Sequence, residues 1–165
     1  MKKKLAIIGV CIVLILLCIV LVVIFRGRGN PTPQNLVKKI EKAINDCNEE
    51  QLVECFPEFM RKDMSNMISK EKMEDFYNSV IQENGDLDFQ IVFISNYEIT
   101  SAKAKEEEIN NQYKTNIQLT DYQQIQVEYH EDFETPMYEI IKIGKNYYLY
   151  SGGYYPSPIS YFFED

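Results

Sequence analysis

The sequence predicts an α+β fold behind one membrane-spanning helix, with helices packed on a curved antiparallel sheet of about four strands. Three observations carry this. Leu5–Phe25 runs for 21 residues without a charge. From Thr32 to Gly85 apolar residues recur at helical spacing between capping residues. From Asp88 onward they alternate at period two, as strands with one buried face do. Helices first and an antiparallel sheet after them is the α+β order.

The apolar run is long enough to cross a bilayer. At about 1.5 Å per residue such a helix spans roughly 30 Å of hydrocarbon. A cleavable signal has a shorter apolar core and then a small-residue site, whereas this run ends in "RGRGN". A lipidated cysteine normally follows a small residue, but Cys18 follows Leu17 and Cys11 follows Val10. Both read as small apolar membrane residues. Lys2, Lys3 and Lys4 precede the span and only Arg26 and Arg28 follow it. The more basic side stays in the cytoplasm. Residues 1–4 are then a cytoplasmic tail, 5–25 the span in the cell membrane, and the rest an extracellular domain. Five of the 17 basic residues precede Gly29, which leaves 12 against 25 acidic ones and a net charge of −13 outside. Such a balance excludes nucleic acid as a partner and disfavours anionic lipid heads. It fits a solvated surface.

A Gly- and Pro-rich linker occupies 26–32, and the domain proper 33–152. Thr32 and Pro33 open the first helix, whose apolar stripe is Leu36, Val37, Ile40, Ala43, Ile44 and Cys47. Asn48 and Gln51 form a capping-box pattern before Leu52, Val53, Cys55 and Phe56, and Pro57 ends that helix. Phe59, Met60, Met64, Met67 and Ile68 belong to a surface loop or short helix. Ser69 caps a further helix with Met73, Phe76, Tyr77, Val80 and Ile81 inward and Gly85 as its stop. "DFQIVFISNYEIT" is a strand with Phe89, Ile91 and Phe93 on one face, Val92 and Ile94 on the other. "SAKAKEEEINNQY" is polar and helical, Ser101 its cap, and reads as an exposed insertion with Ala102, Ile109 and Tyr113 as inward candidates. "YQQIQVEYHED" alternates Ile125, Val127 and Tyr129 against Gln124, Gln126, Glu128 and His130. "TPMYEIIKI" and "NYYLYS" are two more strands joined by the tight "GKN" turn, and the helices are expected on one face of the sheet.

The segments "TPQNLVKKIEKAIN", "NEEQLVECFPEFM", the Ser-Lys-Glu helix and "IIKIGKNYYLY" resemble a family. It comprises the uncharacterised membrane-anchored or lipoprotein domains of Gram-positive anaerobes with a cystatin-like, nuclear transport factor 2-like fold. There a helix ending in "lfP" precedes a curved sheet, and the last hairpin reads "vvKxxGKWYl", with Tyr147 at the tryptophan position here. The resemblance covers roughly residues 32–151 and rests on order and pattern. It implies a cone with a cavity between sheet and helices, and no particular activity, because that fold hosts enzymes, binding domains and scaffolds.

No catalytic, cofactor or metal constellation stands out. His130 shares a strand face with Glu128 and Asp132, opposite the apolar one, a weak metal pattern. Glycine-rich phosphate loops, CxxC pairs and serine nucleophile motifs do not occur. "KEEE" at 105–108 is a charge run of the kind that faces solvent. Cys47 and Cys55 could be bridged in a helix–turn–helix, or both be buried free thiols. Three roles follow. The first is a noncatalytic module binding a protein partner outside the cell. The second is a scaffold subunit of a conjugation- or secretion-like envelope assembly. The third is a small-ligand carrier or enzyme using the cone, with Tyr97, Tyr129 and Tyr138 as inward polar groups.

The carboxy-terminal aromatics complete the reading. Alternation puts Tyr147 and Leu149 on one face and Tyr148 and Tyr150 on the other. In the resembling family the aromatic at the Tyr147 position packs against the helices, which implies that Tyr147 and Leu149 face the core. The tail 153–165 carries Tyr154, Tyr155, Tyr161, Phe162 and Phe163. Either it packs back over Tyr148 and Tyr150, or these residues form an exposed partner surface.

Overall fold

The computed structural model describes residues 29–96, 99–129, 135–152 and 157–163. The expected span, 5–25, lies outside them. Among the described residues no helix is long and apolar enough to cross a membrane.

Helix α1 (Pro33–Asn45) starts where Thr32 accepts a hydrogen bond from the Asn35 N–H at 3.2 Å. Its buried stripe is Leu36, Val37, Ile40, Ala43 and Ile44. Cys47 takes a left-handed turn (φ 48°) that redirects the chain into α2 (Glu49–Val53), which Asn48 caps through the Gln51 N–H. Helix α3 (Glu58–Met67) buries Met60 and Met64 and leaves Met67 exposed. Ser69 caps α4 (Lys70–Phe76), which runs on through a π-helical turn, Tyr77–Ile81, into α5 (Gln82–Asn84). Gly85, at φ 86°, ends the run. The side chain of Asn45 then pairs with both backbone groups of Leu87, imitating a strand and steering the chain into the sheet.

Strands β1 (Gln90–Asn96), β2 (Leu119–Glu128), β3 (Met137–Ile143) and β4 (Asn146–Ser151) form one antiparallel sheet in sequential order. Helix α6 (Ile99–Tyr113) is inserted between β1 and β2, and α7 (Pro158–Tyr161) follows β4. The core face carries Ile125, Val127 and Tyr129 from β2 and its exit, Tyr138 and Ile140 from β3, and Tyr147 and Leu149 from β4, all buried in one core with residues of α1–α4 and the π-helical turn. Alternation anticipates Ile125, Val127 and Tyr129, and the resemblance anticipates Tyr147 and Leu149.

Four expectations need correction. A bulge between Ile91 and Phe93 changes the face assignment in β1. Ile91 pairs with Val127, but Phe93 pairs with Gln126 and Ile94 with Ile125, so Phe93 leaves the core face. Second, α6 begins at Ile99, so Ser101 lies within the helix and is not its cap. Third, α6 is no exposed insertion but covers part of the outer face of the sheet. Ile109 is fully buried against Tyr122 and Ile141 on the outer face. Fourth, the described part of the tail, residues 157–163, does not cover that face. Ile159 and Phe162 of the tail are fully buried in the main core, on the helical side. Phe162 meets Phe76 edge-on at 5.3 Å, its carbonyl accepts from the Ser69 N–H at 2.8 Å, and Phe163 bridges Ile68. Gly152 permits this docking, since a Cβ there would lie 2.7 Å from Ile159 Cγ2.

Candidate functional site

The outer face of β3 and β4 carries the aromatic residues that alternation turns away from the core. Tyr150 is held on several sides. Its hydroxyl donates to Glu108 Oε1 at 3.4 Å, and Lys105 Nζ sits 5.1 Å from its ring centroid. Burial, reinforced by Glu108, pushes its hydroxyl up to about 12. Tyr122 donates to Glu139 at 2.9 Å beneath the same lysine. These tyrosines anchor α6 to the sheet.

Tyr148 is placed differently. With Pro57, Phe59, Thr115, Ile117 and Ile143 it lines an open, mainly apolar groove of about 440 Å³. Glu58 is the one ionisable carboxylate among the lining residues. One wall is rigid: the Phe59 and Tyr113 rings pack at 4.9 Å, and burial raises the Tyr113 hydroxyl. The opposite lip is fixed by Asn110, whose side chain donates to the Ile117 carbonyl at 3.0 Å and accepts from its N–H at 2.8 Å. Glu106 adds a bond from the Leu119 N–H at 2.6 Å. Pre-formed apolar walls with few polar groups suit recognition of an apolar side chain or segment.

Of the other aromatic candidates, Phe162 is core, Phe163 is partly buried, and Tyr161 is 45% exposed with its ring 6.0 Å from that of Phe76. Tyr154 and Tyr155 lie outside the described residues. Tyr161 therefore does not join Tyr148 in one surface through α7, which docks on the helical side. Cys47 and Cys55 are both free thiols. Cys55 is buried, with its Sγ donating to the Gln51 carbonyl at 3.4 Å. Glu128 is exposed, while His130 and Asp132 fall outside the described residues, as does Tyr97. Tyr129 and Tyr138 are both buried in the core, and burial raises the Tyr138 hydroxyl strongly. Among the described residues no group of three His, Cys, Asp or Glu side chains could hold a metal ion.

One inward polar cluster escaped the sequence reading. The Tyr147 hydroxyl donates to Asp121 Oδ2 at 2.5 Å, and Gln123 Nε2 donates to the same oxygen at 2.9 Å. Lys142 Nζ lies 4.9 Å from the Tyr147 ring centroid. Gln123 is buried, and its Oε1 has no partner among the described residues. The signal was available: extending Ile125, Val127 and Tyr129 backward by twos gives Gln123 and Asp121. Burial and the neighbouring Asp121 carboxylate both raise the Tyr147 hydroxyl, so it stays protonated and donates.

Comparison with protein-family models, curated proteins and solved structures finds no match for the chain. Its function is therefore argued from the geometry.

Proposed function

We propose that the chain is a single-pass membrane protein displaying a noncatalytic α+β module outside the cell, and that the groove at Tyr148 engages a protein partner. The 21-residue uncharged run and the lysines before it support the anchored arrangement. The resemblance to cystatin-like, nuclear transport factor 2-like domains fits display of such a module. The observation that carries the binding role is the groove itself, apolar and walled by Phe59, Ile117, Ile143 and Tyr148. Placing a photocrosslinking amino acid at position 148 in the native membrane tests this, with exposed Met67 as control. A discrete crosslinked protein at 148 and none at 67 is the expected result. Equal, diffuse labelling at both positions would remove the groove from the reading.

A second reading, a small-ligand carrier or enzyme, is favoured by Asp121, a carboxylate on the core face bonded to Tyr147 and Gln123. Turnover by the purified chain that disappears in Asp121→Asn would replace the binding role with a catalytic one.

A further inference from the structure

The two edges of the sheet are treated differently. At the β4 edge the Tyr147 N–H donates to the Asn30 carbonyl at 2.7 Å and the Leu149 N–H to the Cys55 carbonyl at 2.9 Å. Asn30 Nδ2 donates back to the Tyr147 carbonyl at 3.3 Å. That edge is closed. Strand β1, at the opposite edge, pairs with β2 alone among the described strands. Its sequence, "QIVFISN", has neither charge nor proline. Val92 is 51% and Phe93 53% exposed, with Ile94 at 36%. Proteins usually guard such an edge with lysine, proline, a bulge or a covering segment. Among the described residues only the bulge at Ile91–Phe93 is present.

The apolar surface continues onto the outer face. Phe93 pairs with Gln126, and Gln126 pairs with Met137, itself 43% exposed. This row lies outside the apolar cluster that α6 covers. The surroundings are acidic. Asp86 and Asp88 precede the strand, and Glu128 pairs with its first residue, Gln90, all three exposed. Lys38, 2.8 Å from Asp88, also binds Glu41, so it does not offset the rest.

We infer that β1 is a strand-addition site for an extended, apolar segment of another protein flanked by lysine or arginine. The backbone of β1 supplies the ladder, Val92, Phe93 and Met137 the side-chain contacts, and Asp86, Asp88 and Glu128 the charge preference. A second copy of this chain is the poorer occupant, because it brings the same carboxylates to the same edge and the exterior already carries −13.

The test uses the full chain in a nonionic detergent and a short synthetic peptide with an alternating Val-Thr core between paired lysines. A twin peptide carries glutamates in place of the lysines. The readout is hydrogen exchange over residues 90–96, with α1 as the internal control for folding. The lysine peptide is expected to slow exchange in β1 and the glutamate twin to leave it unchanged. Val92→Lys should weaken the effect at least about tenfold, and Glu128→Gln more modestly, with α1 protection intact in both. Unchanged β1 exchange at saturating lysine peptide overturns the site. Equal protection by the twin overturns the charge preference. Protection that rises with protein concentration without peptide overturns the heterologous partner in favour of a second copy.

Discussion

Cys47 and Cys55 stand eight positions apart in different chemical settings. Cys55 is fully buried and its thiol is pushed up to about 12 by desolvation, so almost none is thiolate at neutral pH. Cys47 is partly exposed, its thiol raised by burial and then by Glu74. Alkylation of the folded chain, read by peptide mass mapping, should therefore modify Cys47 slowly and Cys55 only after unfolding. If neither reacts until reductant is added, the two are bridged. The outer-face tyrosines predict a pH dependence. The Tyr150 hydroxyl moves from an ordinary 10.0 to about 12, so folding favours its neutral form. The associated stability is fully present below pH of about 10 and is lost as pH rises toward about 12. Tyr147 is raised too and adds to the same alkaline loss. Denaturant midpoints across that window should fall more steeply for the native chain than for Tyr150→Phe. Parallel slopes would mean that Tyr150 ionises as it does in the unfolded chain.

At the scale of elements, α6 takes the outer-face position the sequence suggests for the tail, and α7 docks in the main core instead. The tail reaches the helical side because Gly152 allows close contact with Ile159 and because Phe162 finds Phe76. Phe162→Ala should cost about 3–5 kcal/mol, as truncation of a fully buried aromatic does, whereas Tyr161→Ala at an exposed position should cost far less. Urea denaturation compares them, and equal effects would place the tail on the surface. Caps and helix stripes were legible because they are local. Thr32, Asn48 and Ser69 each act within three residues of themselves. Core positions of β2 were legible because polar residues alternate with apolar ones and mark the buried face, whereas in β4 tyrosines stand on both faces. Two things were not legible. The bulge in β1 sits inside an unbroken apolar run, Ile91 to Ile94, where neither face is marked by polarity. Only Ile109 of α6 is fully buried, with Ala102 and Tyr113 partly buried beside it, and the rest of its hold on the sheet is polar, so its amphipathicity carried little signal. The groove at Tyr148 inherits that difficulty, because its far lip, Ile117, is positioned by Asn110 of α6.

For the whole molecule, the decisive point is where the domain begins. The segment 26–32 reads as a linker, yet Asn30 is buried and bonded to β4 through both its carbonyl and its side chain. Asn30 is therefore part of the folded domain, held beside the β4 edge. It also means that the chain itself closes the β4 edge, while among the described strands β1 pairs with β2 alone, so the two edges differ. Every core residue of the described structure lies between Leu36 and Phe162. A chain starting at Gly29 should consequently unfold in one cooperative transition without the preceding residues. A chain starting at Thr32 loses the acceptor of the Tyr147 N–H and the donor to its carbonyl. Net hydrogen-bond contributions are about 0.5–1.5 kcal/mol each, so the shorter chain should be less stable by roughly 1–3 kcal/mol. Its Tyr147 amide should also exchange faster, since the β4 edge is then open to water. Identical midpoints and identical Tyr147 exchange in the two chains would show that Asn30 is a bystander and that the domain begins at α1.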